Sequence, residues 1–319
     1  MSGSVSSTMT PLGYDRPLYL LPFDHRHSYI TGMFGLEPPL TVAQHDAVAD
    51  SKRLIYEGFE QAAGGGVPPG AAGILVDEEF GTAILHDARQ RGFVTAVSTE
   101  KSGSDEFEFE YEADFARHIA AVAPTFAKAL VRYNPQGDSA LNQRQQQRLE
   151  QLSDACRRSE CRFMFELLVP ATPAQLERVA GDTDAFDQHT RPQLMIDAMR
   201  ALQDAGVEPD VWKIEGLARR ADCERIVETA RRDGRDAVGC IVLGRGADEA
   251  KVSSWLATAA SVTGFIGFAV GRTSFWDAVA GFRAQTLTRE QAAAQIAGRF
   301  REWVAVFERA RHANAGAAP

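Results

Sequence analysis

Lys213 stands in the middle of Asp210-Val-Trp-Lys-Ile-Glu-Gly216, a run bounded by Pro209 and Gly216 in which Val211, Trp212 and Ile214 have the character of a buried strand. An ammonium removed from water must find a partner or give up its proton. As a neutral amine it attacks carbonyl carbon, so the chemistry this residue offers is Schiff-base formation. Residues two apart on a strand share a face, which sets Val211, Lys213 and Glu215 side by side. A structural Lys213–Glu215 pair, or a surface strand, is therefore the competing reading, and the heptapeptide alone favours it.

Lysine usage shifts that balance. Only five of the 34 basic residues are lysines (Lys52, Lys101, Lys128, Lys213 and Lys251), and three of them, Lys101, Lys128 and Lys213, fall in or just after strand-like segments. Such placement implies a need for an amine that guanidinium, permanently protonated, cannot meet. Glu166 sits in the otherwise apolar Phe163-Met-Phe-Glu-Leu-Leu-Val169. A lone carboxyl there is paired or protonated, which suits acid–base work or a buried ion pair with a lysine.

The elements that must position these groups alternate in type. Strand-length apolar runs are expected at 18–23, 72–76, 93–97, 127–133, 163–169, 211–215, 239–243 and 264–269. Amphipathic helical stretches lie between them at 41–62, 82–91, 113–122, 139–158, 191–205, 218–232 and 248–262. One or two more fill 277–309, where Thr288-Arg-Glu-Gln291 reads as a capping box. The stretch 171–190 is expected to be an insertion after the fifth strand. Eight strands alternating with helices predict parallel pairing closed into a single (β/α)8 TIM barrel. A doubly wound open sheet is the alternative, but no G-x-G-x-x-G follows the first strand. The barrel is expected over residues 16–310, with a flexible start at 1–15 and a disordered tail at 311–319.

A barrel places its active site at the C-terminal ends of its strands. Strand one ends in Asp24-His25-Arg26-His27, strand two in Asp77-Glu78-Glu79 and strand three in Thr99-Glu100-Lys101-Ser102-Gly103. Strand four carries Lys128 and Arg132 on one face, strand seven leads into Gly244-Arg245-Gly246, and strand eight into Gly271-Arg272-Thr273. Every strand thus offers ionisable groups at one end. Asp24 to His27 is a solvated turn or a metal site, but no partner ligand set stands out and no metal is expected. Asp77 to Glu79 is a helix N-terminus or a binding loop. The two Gly-Arg loops suit a phosphate held by backbone amides and a helix N-terminus, unless Arg245 or Arg272 pairs with an acidic helix residue instead.

Composition narrows the partners. A net charge of −9 opposes non-specific binding to nucleic acid or an anionic membrane, without excluding a basic pocket for a small anion. Cys156, Cys161, Cys223 and Cys240 show neither a C-x-x-C spacing nor a Cys/His cluster, so reduced thiols are expected. Neither a signal-like N-terminus nor an apolar run of membrane-spanning length is present, and a cytoplasmic protein is expected.

With these residues in place, the chain resembles the 2-deoxy-5-keto-gluconate 6-phosphate aldolases of inositol catabolism. The resemblance rests on Leu21-Pro-Phe-Asp-His-Arg26, Gly73-Ile-Leu-Val-Asp-Glu-Glu-Phe-Gly81, Glu100-Lys-Ser-Gly103, Leu130-Val-Arg-Tyr-Asn-Pro135, Phe163-Met-Phe-Glu-Leu-Leu-Val-Pro170, Trp212-Lys-Ile-Glu-Gly-Leu217, Val242-Leu-Gly-Arg-Gly246 and Gly267-Phe-Ala-Val-Gly-Arg-Thr273. It runs from about residue 18 to residue 309. Members often form the C-terminal half of a fusion with a sugar-kinase-like 5-dehydro-2-deoxygluconokinase, and this sequence holds no kinase half. More distantly the chain is similar to tagatose-bisphosphate and sulfofructose-phosphate aldolases.

The resemblance implies a class I aldolase with Lys213 as imine-forming lysine, Glu166 as acid–base and Lys128 as a nearby cation that depresses the pKa of Lys213. Lys213 would add to the C5 ketone, the C3–C4 bond would break, and malonate semialdehyde and dihydroxyacetone phosphate would leave. The iminium is the electron sink, so no cofactor is expected. Gly244, Arg245, Gly246, Gly271 and Arg272 are expected to hold the phosphate, with Arg132 or Arg26 facing the carboxylate. Asp24, Lys101 and Glu215 complete the expected binding residues, Glu215 in a supporting role; Lys101, His25 and His27 have no assigned role. The expected partner is a phosphorylated keto sugar acid, and related aldolases suggest a homo-oligomer. Cleavage of another phosphorylated ketose, or a catalytically silent sugar-phosphate sensor, are the alternatives.

Overall fold

A computed structural model describes residues 11–68 and 70–315. Its eight strands are β1 (Leu18–Pro22), β2 (Ala72–Val76), β3 (Val94–Ser98), β4 (Phe126–Arg132), β5 (Arg162–Leu168), β6 (Val211–Glu215), β7 (Gly239–Leu243) and β8 (Phe265–Ala269). Each pairs in parallel with the next, and β8 pairs with β1, closing the barrel. The helices are α1 (His27–Tyr29), α2 (Val42–Ala63), α3 (Glu78–Gln90), α4 (Phe115–Val122), α5 (Ser139–Arg158), α6 (Pro173–Arg178), α7 (Thr183–His189), α8 (Arg191–Asp204), α9 (Arg220–Ala230), α10 (Glu249–Ala260), α11 (Arg272–Arg283) and α12 (Arg289–Ala315). The expected (β/α)8 TIM barrel is the fold observed.

The period-2 pattern of the strands sorts side chains between two cores. Leu20, Leu75, Phe126, Met164, Val211 and Ile241 pack inside the barrel, whereas Tyr19, Ile74, Ala127, Phe165, Trp212 and Val242 face the helices. The inner apolar plug fills the lower part of the barrel. Toward the C-terminal ends, the next inward positions of β4, β5 and β6 are charged, and Asp24 follows β1: Asp24, Lys128, Glu166 and Lys213 are all buried.

Several boundaries differ from expectation for local reasons. Helix α3 starts at Glu78 rather than 82 because Asp77 caps it, its carboxylate accepting from Phe80 N at 2.9 Å; the acidic triplet is a helix N-terminus. The 171–190 insertion is two short helices, α6 and α7, capped by Thr172 and Asp182. The capping box at Thr288 and Gln291 is formed. Residues 311–315 continue α12, where a disordered tail is expected, and Gly13 and Tyr14, assigned to the flexible start, are anchored: Gly13 N donates to Asp210 at 2.8 Å and Tyr14 is buried. Residues 1–10 and 316–319 lie outside the described residues. Among the described residues no helix is long and apolar enough to cross a membrane.

Candidate active site

The charged upper layer opens into a cavity of about 440 Å³ lined by residues from the ends of β1, β3, β4, β5, β6, β7 and β8. At its floor β5 and β6 are registered with Glu166 opposite Lys213. Glu166 Oε1 lies 2.8 Å from Lys213 Nζ, and Oε2 lies 2.8 Å from Lys128 Nζ. One carboxylate therefore bridges two ammonium groups. The Lys213–Glu215 pairing that the heptapeptide favours is not formed: Glu215 points to the rim, accepting from Arg191 at 2.6 Å and from Val169 N at 2.9 Å.

Lys128 is surrounded by three carboxylates, with Asp24 at 2.8 Å, Glu100 at 2.6 Å and Glu166 at 2.8 Å. Burial favours the neutral amine, but the three negative charges outweigh it and hold the Lys128 pKa well above its ordinary value. Burial likewise opposes ionisation of Asp24 and Glu166. Lys128 leads the opposing attractions at both, with His25 and Lys213 adding at Asp24 and Lys213 at Glu166, so both stay below the usual carboxylate range. Glu100 goes the other way: burial raises it, Lys128 offsets only part, and the charge of Asp24 adds to the rise.

His25, half-buried at the wall, is pushed down to about 4 by burial, against the pull of Asp24. Its Nδ1 is buried without a hydrogen-bond partner. Its backbone is held by Lys52, whose Nζ donates to His25 O at 3.0 Å and to Asp77. Lys52 and Asp77 are both fully buried. Position on or after a strand therefore does not sort the lysines by burial: Lys52, on a helix, is buried, and Lys101, after a strand, is 55% exposed and lies 3.9 Å from Glu108.

The two expected phosphate loops meet at one wall. Arg245 and Gly246 both have positive φ, and Ala247 N donates to Gly244 O at 3.0 Å, a tight turn of the type that needs left-handed central residues. A Cβ on Gly246 would fall 2.6 Å from the Arg272 guanidinium, and one on Gly271 only 2.3 Å from Pro22 O. Arg272 opens helix α11, so its side chain and that helix N-terminus face the same space. Arg245 takes the alternative partner: it lies 2.7 Å from Asp187 and 3.1 Å from Glu215, and Arg191 contacts the same two carboxylates.

The two arginines expected at the substrate carboxylate differ in freedom. Arg26 is buried and spent on Glu110, at 2.6 Å, and on the Glu100 carbonyl. Arg132 is exposed at the cavity mouth, with a 3.4 Å contact to Ser104 O. The sequence places Glu100 at the end of strand three without giving it a role, and Asp187 and Arg191 are passed over. Glu100 had a usable signal, since Val94, Ala96, Ser98 and Glu100 alternate onto one face; Asp187 and Arg191 had none. Among the described residues no group of His, Cys, Asp and Glu side chains is arranged to hold a metal ion.

Comparison with known proteins finds relatives in sequence and in fold. The chain is 26% identical over 153 residues to tagatose 1,6-diphosphate aldolase 1 of Streptococcus mutans, covering 46% of this chain and 45% of that protein. To the Streptococcus pyogenes aldolase of the same name it is 27% identical over 166 residues, 50% of this chain and 49% of that one. The chain thus spans about half the length of the curated relatives it matches. In fold it is similar to fructose-bisphosphate aldolase of Plasmodium falciparum, with a TM-score of 0.62 at 11% identity over 95% of this chain and 92% of the other. It is also similar to Cgl0159 of Corynebacterium glutamicum, with a TM-score of 0.53 at 17% identity over 92% and 88%. Residues 8–311 match the family described as "Uncharacterized protein conserved in bacteria (DUF2090)", and the chain belongs to that family.

Proposed function

We propose that this protein is a class I aldolase in which Lys213 forms an imine with a phosphorylated keto sugar. The observation that carries the reading is the buried Lys213–Glu166–Lys128 bridge at the floor of the cavity, with both contacts at 2.8 Å. An amine beside an ionised carboxylate that can take its proton, in a site largely closed to water, is the arrangement of an activated nucleophile. After addition to the ketone and loss of water, the iminium withdraws electrons. Glu166 then removes the proton of the hydroxyl two carbons away, and the intervening C–C bond breaks. Similarity to tagatose 1,6-diphosphate aldolases supports the reaction class.

For the substrate we propose 2-deoxy-5-keto-gluconate 6-phosphate, giving malonate semialdehyde and dihydroxyacetone phosphate. Its phosphate would lie against Gly244–Gly246, Gly271 and Arg272, and its carboxylate would face Arg132, the arginine with free donors at the mouth. Arg26 would hold the wall instead. The limited match to tagatose 1,6-diphosphate aldolases favours a second reading, cleavage of a bisphosphorylated ketose. Comparing turnover of the two substrates separates these. Reduction with borohydride in the presence of dihydroxyacetone phosphate tests the reaction class: an adduct on the Lys213 peptide is expected, and its absence sinks the imine. Lys213→Ala is expected to remove turnover.

A further inference from the structure

Five ionisable side chains meet at the floor of the cavity, and their charges do not cancel. Asp24, Glu100 and Glu166 bring three carboxylates against the ammonium groups of Lys128 and Lys213. The negative surplus grows from one to two once Lys213 is the neutral amine that imine formation requires and its proton has passed through Glu166 to solvent. A desolvated cluster relieves such a surplus by keeping a proton on a carboxyl.

Position distinguishes the three carboxyls. Glu166 lies between two ammonium groups. Asp24 contacts Lys128 and is further stabilised as an anion by Lys213. Glu100 touches Lys128 alone and shares it with both other carboxylates; Oε2 of Glu100 and of Glu166 are both buried without a hydrogen-bond partner, but that of Glu166 lies 2.8 Å from Lys128 Nζ, whereas that of Glu100 meets no cation. The nearby cation Arg26 offsets part of the rise at Glu100, but its direct contacts go to Glu110 and to the Glu100 carbonyl, not to the Glu100 carboxyl. Lys101, next in sequence, lies toward Glu108. The Glu100 side chain lines the same cavity as Lys213.

We propose that Glu100 holds the surplus proton of this cluster and is the acid of the reaction, with Glu166 as the base. The proposal rests on the imine reading above. In the step proposed, the Lys213 nitrogen lone pair of the carbinolamine forms the C=N bond and the C–O bond breaks. The oxygen takes the Glu100 proton and leaves as water, and Glu100 is left as a carboxylate. Hydrolysis of the product iminium runs the same step backwards and returns the proton. The electrostatics agree in direction: burial raises Glu100, whereas the two lysines overcome burial at Glu166. Environments that push two carboxyls apart in this way separate acid from base.

The test follows formation of the borohydride-trapped dihydroxyacetone phosphate adduct on Lys213, over time and across pH, in the wild type, Glu100→Gln and Glu100→Asp. Wild type is expected to form the adduct at a rate that falls as pH rises and Glu100 ionises. Glu100→Gln should slow it by about 10²–10⁴-fold, the usual contribution of a positioned acid, and lose that alkaline decline. Glu100→Asp should recover part of both. An unchanged rate and pH profile in Glu100→Gln overturns the proposal while leaving the imine intact. A wild type that forms no adduct overturns the imine reading itself. Should Glu100→Gln fail to fold, carbon NMR of glutamate carboxyls in the wild type reads the same proton: one titrating above the ordinary carboxylate range is expected, and none doing so refutes the assignment.

Discussion

At the scale of single residues, the site is built from groups whose ionisation depends on one another. Lys128 is the hub, because removing its charge would leave three carboxylates, two of them buried and Glu100 mostly so, facing one another. His25 shows the cost of building beside it. The unfolded chain takes up the His25 proton below about 6.5, whereas the folded protein refuses it until about 4. Unfolding therefore gains protons as pH falls through that window, and stability declines with it. Asp24 and Glu166, both held low in the folded state, extend the decline below about 4, where their unfolded counterparts protonate. We expect His25→Gln to flatten the loss of stability between about 6.5 and about 4 in denaturant titrations; an identical slope in both proteins would remove His25 from the account. Lys213, Glu166 and Lys128 were legible in the sequence because a charged residue in an apolar strand stands out. Glu100 stood out less: it alternates onto one face with Val94, Ala96 and Ser98, but it lies beyond β3 in a polar loop where a carboxylate is unremarkable.

At the scale of elements, the insertion between β5 and β6 takes part in the site. Helix α7 supplies Asp187, and the first residue of α8 is Arg191; together with Glu215 they tie Arg245 to the β6 rim. This tether holds the Gly244–Gly246 turn, in which Arg245 adopts a left-handed conformation unusual for a side-chain-bearing residue. If that turn binds phosphate, its geometry depends on α7. Asp187→Ala is expected to raise KM for a phosphorylated substrate roughly five- to tenfold, equivalent to about 1 kcal/mol, with little change in kcat. A fall in kcat at constant KM would argue that α7 acts on the chemistry instead. That 171–190 interrupts the β–α rhythm was readable from its composition. Its contacts were not, since nothing local in Asp182 to Asp187 says which of its acids meets an arginine 58 residues away.

At the scale of the whole molecule, α12 closes the seam where β8 meets β1. Ile296, Phe300, Trp303 and Phe307 are buried on its inner face; Phe300 packs against Phe59 and Phe268, and Phe307 against Tyr19 and Phe268. Four such side chains, at roughly 1.5–3 kcal/mol each, match the net stability of a typical domain, about 5–15 kcal/mol. Truncation after Thr288 is therefore expected to abolish cooperative thermal unfolding, and a truncated chain that melts sharply would show that the barrel closes without α12.

The number of strands, their parallel order and the inward-facing lysines were legible along the chain, because strand periodicity and the high cost of burying charge are local properties that leave a mark at each position. Which carboxylate meets which amine emerges in three dimensions: Lys213 pairs with Glu166 and not Glu215, Lys128 is shared by residues 24, 100 and 166, and Arg245 is tethered. Those pairings follow from the stagger between neighbouring strands and from the closure of β8 onto β1. Both are set by the barrel as a whole, and it is this geometry that fixes the distances between charges on which the electrostatics depend.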